Sequence, residues 1–214
     1  MNFIKSTEII NIFKLLNENK VEYILIRNIN NELPDNLEIG KDIDLLVEDR
    51  EKIVKILKKN NFKKITHPHQ NNIFLYGVEK FEFYKNDKEL LFDLNFQIAV
   101  RSLDAGQWIP LDQKIQESTW KNKRFVQLED DFGYWTLSYN DEFIILIARS
   151  IFDKREFQEG YIRRIDELKD QIDIEDVKEK MGLVFFKFTP YLLEMIEKKD
   201  YENIIKNYIQ FKEY

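Results

Sequence analysis

The hydrophobic periodicity of the chain changes near residue 139, and this change limits the folds that the chain can adopt. Before it, short apolar runs typical of buried strands are interspersed with amphipathic segments typical of helices. After it, residues 141–212 have helical periodicity almost throughout. We therefore predict an α+β protein of 214 residues, with a mixed sheet flanked by helices in residues 1–139 and a helical domain in residues 140–214.

The predicted elements follow from these periods and from the polar residues that bound them. Strands are predicted at residues 21–26, 42–47, 62–66, 73–78, 80–84, 90–100, 125–128 and 134–137. Helices are predicted at residues 6–19, 51–60, 141–157, 161–172, 174–180, 183–198 and 201–212. The histidines of the segment Thr-His-Pro-His, His67 and His69, are predicted to lie in a turn, because no third zinc ligand is evident nearby.

Composition excludes several classes of function. The 33 basic and 39 acidic side chains leave a net charge of −6, which argues against a protein that holds duplex DNA by its phosphates. The absence of cysteine excludes disulfides, thiolate metal sites and cysteine nucleophiles. No apolar run is long enough for a membrane span or a secretory leader, so we expect a cytoplasmic protein.

Two carboxylates interrupt an otherwise apolar predicted strand. Asp42 and Asp44 are two residues apart, so the alternation of a strand places both on one face. Burying two like charges together is costly unless a cation compensates them, and carboxylates are preferred ligands of Mg²⁺. Asp93, on another predicted strand, is a candidate third ligand for a two-metal site. The alternative interpretation of Asp42 and Asp44 is the solvated face of an exposed strand.

The residues around this pair resemble a known family. An apolar strand ending in Arg27, a loop with Leu33-Pro34, and Gly40-Lys41 before Asp42-Ile43-Asp44 are similar to the nucleotidyltransferase superfamily that includes DNA polymerase beta. More narrowly, they resemble bacterial nucleotidyltransferase-like proteins of surface-polysaccharide loci. Residues 141–154 and 161–165 are similar to the helical continuation of those proteins. The resemblance implies a nucleotidyltransferase-like sheet followed by a helical substrate-binding domain.

The resemblance also assigns roles to individual residues. It makes Asp42, Asp44 and Asp93 the catalytic residues and the ligands of Mg²⁺ or Mn²⁺. The residues that it implies for nucleotide binding are Arg27, Asn28, Lys41, Arg149 and Lys154. Where the superfamily usually has Gly-Ser or Gly-Gly at the end of the first strand, and the narrower group often Arg-Gly, this chain has Arg27-Asn28. For Arg149, an ordinary surface ion pair with Asp153, four residues on, is the alternative.

These observations predict an enzyme that transfers a nucleoside monophosphate from a nucleoside triphosphate to a hydroxyl or phosphate of a small acceptor. The narrower resemblance implies an acceptor from surface-polysaccharide biosynthesis. Two alternatives remain open. One is a catalytically silent regulatory protein that binds a nucleotide or a partner, which Asn28 in place of glycine favours. The other is a toxin-like nucleotidyltransferase that modifies protein or tRNA. The preferred nucleotide, the acceptor and the oligomeric state are not determined by the sequence.

Overall fold

The computed structural model describes residues 2–28, 32–66, 78, 81–103, 107–129 and 132–212. The predicted turn at His67 and His69, and the predicted strand 73–78 except its last residue, lie outside the described residues. The chain divides into two compact units. The first consists of Met1–Ile98 and Asn122–Leu137, and the second of Ala99–Lys121 and Ser138–Tyr214.

The described elements alternate in the first unit and are mostly helical in the second. The strands are β1 Tyr23–Leu25, β2 Asp42–Val47, β3 Lys63–Ile65, β4 Glu82–Lys85, β5 Leu91–Asn95, β6 Ala99–Arg101, β7 Trp108–Pro110, β8 Arg124–Glu129 and β9 Phe132–Thr136. The α-helices are α1 Ser6–Glu18, α2 Arg50–Lys59, α3 Gln113–Lys121, α4 Tyr139–Arg149, α5 Glu159–Leu168, α6 Ile174–Phe185, α7 Thr189–Glu197 and α8 Tyr201–Lys212.

The first unit is built on a seven-stranded mixed sheet with the order β3-β4-β5-β2-β1-β9-β8. Its central strands β2 and β5 run parallel, whereas β1 pairs with β2, and β4 with β5, in the antiparallel sense. The β8–β9 hairpin joins the sheet through a parallel bridge between Leu25 and Thr136. The predicted mixed sheet is therefore confirmed.

Helices α1 and α2 cover one face of this sheet. Ile43, Leu45 and Val47 of β2 point into the apolar core that these helices close, because alternate residues of a strand share a face. On α1, Phe13 packs against Tyr23 of β1, with ring centroids 5.6 Å apart. Burial of each such side chain contributes about 1.5–3 kcal/mol. As a result, Asp42 and Asp44 are left on the opposite face of β2.

The second unit is centred on α4, a helix that is buried along most of its length because its middle, residues 143–148, is apolar on every side. The helix begins at the N-cap Ser138, whose hydroxyl accepts a hydrogen bond from the Asp141 amide. It packs against α5 and α6, while β6 and β7 form a separate two-stranded ribbon. Among the described residues, no helix combines the length and apolar character needed to cross a bilayer.

Several predicted boundaries are wrong for identifiable physical reasons. The predicted helix 141–157 ends as α4 at Arg149, continues as one π-helical turn, and stops where Arg155 adopts a left-handed backbone with φ of 58°. The predicted helix 183–198 is interrupted where Phe186 adopts a positive φ of 49°, and α7 begins afterwards with Pro190 in its first turn, where a missing amide hydrogen is tolerated. The predicted strand 90–100 is two strands, β5 and β6, and the prediction missed β7 and α3.

Candidate active site

Three carboxylates converge on the face of the central sheet opposite α1 and α2. The parallel register of β2 and β5 pairs Asp44 directly with Asp93, while Asp42 precedes Asp44 on the same face. Each of the three offers a carboxylate oxygen, and these oxygens lie within 4.8 Å of one another. Asp44 and Asp93 are only 4% and 6% exposed, and Asp42 is half-buried. The structure therefore brings together the three residues that the sequence predicts as metal ligands.

The arrangement concentrates negative charge in a region of low solvent exposure. Arg27 offsets part of that charge, because its Nη1 lies 2.6 Å from Oδ1 of Asp44. This contact arises at the end of β1, where the Ile26 amide donates to the Asp44 carbonyl and brings the following residue alongside β2. Three carboxylates at these distances form a site to which a divalent cation is electrostatically suited.

The donor set fits a hard divalent cation. Mg²⁺ and Mn²⁺ prefer carboxylate oxygens, and a protein site for Mg²⁺ often supplies only a few such ligands beside water and phosphate. The three oxygens of Asp42, Asp44 and Asp93 meet this requirement in number, in chemistry and in mutual distance. Thiolate ligation is excluded, because the chain has no cysteine.

Asn28 and Lys41 lie beside the carboxylates in the first unit. The Asn28 backbone is left-handed, with φ of 73°, and its side-chain Nδ2 donates to the Asp42 carbonyl and to Oε2 of Glu32, both at 3.0 Å. The Lys41 ammonium forms an ion pair with Oε1 of Glu32 at 2.8 Å. The hydrogen bond within this ion pair raises the pKa of Lys41 above its usual value and keeps the ammonium charged. Glu32 thus connects two residues that the sequence predicts as nucleotide ligands.

Comparisons with known proteins identify the fold. No family model matches the sequence, and no curated protein matches it. Among solved structures, the antibiotic-resistance factor ANT(2'')-Ia superposes with a TM-score of 0.50 and 12% identity, covering 91% of this chain and all of that one (100%). The chain has the nucleotidyltransferase fold.

Two further solved structures have lower scores. The lincosamide antibiotic adenylyltransferase LnuA, solved with lincomycin bound, matches with a TM-score of 0.47 and 15% identity, over 80% of this chain and 100% of that one. An antigenic nucleotidyltransferase-like protein from Paracoccidioides brasiliensis matches with a TM-score of 0.43 and 12% identity, over 90% of this chain and 91% of that one.

The two other residues predicted to bind nucleotide, Arg149 and Lys154, belong to the second unit of this nucleotidyltransferase fold. Arg149 forms an ion pair with Asp153 at 3.1 Å, and both side chains are buried, at 9% and 6% exposure. The pair itself was an alternative in the sequence interpretation, but its expected surface position is wrong. Asp153 also accepts a hydrogen bond from the Arg101 amide at 2.8 Å. Lys154 is exposed on the π-helical turn.

Two polar residues near the carboxylates were missed from the sequence. Glu32 contacts Asn28 and Lys41, but its position in a loop provides no periodic signal that would select it. Asn95 lies two residues after Asp93 on β5, is 5% exposed, and donates to the Asp93 carbonyl at 3.2 Å. Strand alternation from Asp93 places Asn95 on the same face, so this residue was accessible to sequence reasoning.

Proposed function

We propose that this protein is a metal-dependent nucleotidyltransferase that uses Mg²⁺ or Mn²⁺. It transfers a nucleoside monophosphate from a nucleoside triphosphate to a hydroxyl or phosphate of a small acceptor. The observation that carries the proposal is the approach of three carboxylate oxygens, from Asp42, Asp44 and Asp93, to within 4.8 Å of one another in a nucleotidyltransferase fold. Such a cluster suits a reaction in which positioning and electrostatic stabilisation supply most of the rate.

In the proposed reaction, an acceptor oxygen forms a bond to the α-phosphorus, and the bond from that phosphorus to its bridging oxygen breaks. Pyrophosphate leaves with the electron pair of that bond. Asp42, Asp44 and Asp93 would hold the cation, which when bound neutralises charge on the triphosphate and favours the ionised acceptor. Asp93 orients an acceptor hydroxyl and accepts its proton.

Arg27 has two tasks in this proposal. Its guanidinium contacts Asp44 and offsets carboxylate charge, and its planar fork is suited to bind phosphate oxygens. Lys41 carries a positive charge close to the same strand end, and we propose that it contacts the triphosphate. The contacts of Arg149 and Lys154 with nucleotide stay predictions that rest on the family resemblance.

For the acceptor, we propose a hydroxylated or phosphorylated small molecule of surface-polysaccharide biosynthesis, as the narrower sequence resemblance implies. The similar fold of an antibiotic-resistance factor makes antibiotics a second acceptor class to assay. Duplex DNA is not a proposed partner, because the chain has a net charge of −6. The cytoplasmic location and the division into residues 1–139 and 140–214 also stay predictions.

The test measures pyrophosphate release and transfer of α-labelled nucleotide with each nucleoside triphosphate, with Mg²⁺ or Mn²⁺, and with sugar, sugar-phosphate and antibiotic acceptors. Asp44→Asn and Asp93→Asn are expected to lower transfer at least about 100-fold, since each removes a charged ligand. Asp87→Asn is the matched control, because Asp87 lies in an exposed turn of the same unit. Wild-type protein that binds no nucleotide, with both site variants indistinguishable from it, would contradict the proposal.

Two further measurements separate the alternatives. Calorimetry that shows nucleotide binding without dependence on Mg²⁺, together with no turnover, would indicate the silent regulatory protein. Growth arrest on expression that Asp44→Asn relieves, with label transferred to protein or tRNA, would indicate the toxin-like enzyme.

A further inference from the structure

We propose that Asn28 is a positioning residue that holds the end of β2 carrying Asp42 and Asp44, and thereby sets the metal affinity of the carboxylate site. This role replaces the nucleotide contact predicted for Asn28 from the sequence. The inference rests on the proposed function, because it concerns the same carboxylates. It also gives a role to the asparagine that stands where the narrower family group often has glycine.

The backbone conformation of Asn28 is the first argument. Its φ of 73° lies in the left-handed region, where glycine is the default residue. Asparagine is one of the few residues with a side chain that enters this region at modest cost. Asn28 therefore permits the turn after β1 that a glycine would permit, and it adds a side-chain amide at that point.

The hydrogen bonds of that amide are the second argument. Nδ2 donates both of its hydrogens, one to the Asp42 carbonyl and one to Oε2 of Glu32, each at 3.0 Å. Oδ1 accepts a longer hydrogen bond, at 3.4 Å, from the Asp44 amide. The donors of Asn28 are thus fully used within the protein, and two of its three partners are main-chain groups of the proposed metal ligands.

The register of the sheet explains why these bonds matter. The antiparallel ladder between β1 and β2 runs from Tyr23 opposite Val47 to Leu25 opposite Leu45, followed by the bond from the Ile26 amide to the Asp44 carbonyl. Beyond that bond, the Asn28 side-chain amide, which has the donors and acceptor of a peptide group, continues the ladder. Asn28 thereby restrains both carboxylate-bearing residues past the last pair of β1.

A restraint of this kind acts on the metal through its ligands. Hydrogen bonds to metal ligands fix ligand orientation, and their loss commonly weakens metal binding about 10- to 100-fold. The bonds of Asn28 act one step further back, on the main chain of two ligand residues. We expect the affinity for Mn²⁺ to depend on the Asn28 amide even though Asn28 itself contributes no ligand atom.

The experiment compares Mn²⁺ affinity and melting temperature in full-length variants. Asn28→Gly keeps the left-handed backbone and removes only the amide. Asn61→Gly is the matched control, since Asn61 is an exposed asparagine of the same unit with φ of 63°. Electron paramagnetic resonance of free Mn²⁺ provides the dissociation constants. We expect Asn28→Gly to weaken Mn²⁺ binding at least about 10-fold, with Asn61→Gly unchanged.

A second variant keeps the inference testable if Asn28→Gly does not fold. Asn28→Ala removes the same amide, and we expect the same loss of Mn²⁺ affinity with a lower melting temperature, because alanine is strained at φ of 73°. Wild-type affinity in either folded variant would overturn the positioning role and leave the proposed enzyme intact. Wild-type protein that binds no Mn²⁺ would overturn the metal site and, with it, both proposals.

Discussion

Asp44 and Asp93 are direct neighbours on two parallel strands, and their carboxylates share a face of the central sheet. Both residues are almost completely buried, so their mutual repulsion is poorly screened by solvent. Arg27 contacts Asp44 and relieves part of this repulsion. A cation bound between these two carboxylates would therefore stabilise the folded protein.

Metal binding should therefore be visible in protein stability. At a Mn²⁺ concentration 100 times the dissociation constant, linkage adds about 2.7 kcal/mol to the free energy of unfolding. Asp93→Asn should abolish this gain, because it removes a charged ligand of the proposed site. Differential scanning fluorimetry with and without chelator measures the Mn²⁺-dependent stabilisation. Equal Mn²⁺ stabilisation of wild type and Asp93→Asn would contradict the assignment of Asp93 as a ligand, and Asp87→Asn is the control.

A buried ion pair in the second unit should contribute strongly to stability. Lys180 of α6 contacts Oδ1 of Asp141 at 3.1 Å, and Asp141 is fully buried at 0% exposure. Removing the cation deprives a buried carboxylate of this countercharge, although the Ser118 and Ser138 hydroxyls still donate to it, so Lys180→Met is expected to cost about 3 kcal/mol. Lys178→Met on the same helix breaks an exposed pair with Glu175 and should cost less than about 0.5 kcal/mol. Thermal unfolding compares the two, and equal losses would contradict the prediction.

The ion pairs of Glu82 should make stability depend on pH. Burial raises the pKa of the Glu82 carboxyl. Hydrogen bonds from Lys64 and Arg50 together lower this pKa by more than burial raises it, so the pKa lies below its usual value. A lowered folded-state pKa stabilises the protein above the unfolded-state pKa, and this stabilisation is lost as pH falls through the folded-state value. We expect Glu82→Gln to cost about 2 kcal/mol at pH 7.

The difference between Glu82→Gln and wild type should shrink as pH falls below 4.5, the usual pKa of a glutamate carboxyl. Melting temperatures across this range provide the measurement. Glu194→Gln is the control, because solvent screens the fully exposed pair of Glu194 with Lys198. A difference that stays constant with pH would show that Glu82 stabilises the fold by packing and not by its charge.

Two glycines should respond to alanine with opposite signs. A Cβ on Gly133 of β9 would lie 2.5 Å from the Val126 carbonyl oxygen of the neighbouring strand, so Gly133→Ala should destabilise the protein by about 2 kcal/mol. A Cβ on Gly182 of α6 has no neighbouring atom within 4 Å, so Gly182→Ala should stabilise the protein by up to about 1 kcal/mol. Chemical denaturation distinguishes them, and a loss of stability in Gly182→Ala would contradict the second expectation.

Elements with a strong hydrophobic period were predictable from the sequence. The bounds of β2 and α8 match the predicted segments, α1 ends one residue earlier than predicted, and α2 is displaced by one residue at each end. The prediction missed α3, because only Ile115 and Thr119 of this helix are buried and its period is correspondingly weak. The π-helical turn after α4 escaped prediction for a different reason, since an apolar run with helical spacing does not show where the hydrogen-bond pattern widens.

By itself, the sequence determined the mixed α+β class, the apolar character of β2 and the shared face of Asp42 and Asp44, because these follow from the period of a single segment. The tertiary structure alone decided that Asp93 is the neighbour of Asp44, since strand order depends on long-range pairing. It also decided that the Asn28 side chain completes the β1–β2 ladder. Local periodicity orients a side chain within its own strand, whereas its partners depend on which strands the folded chain brings together.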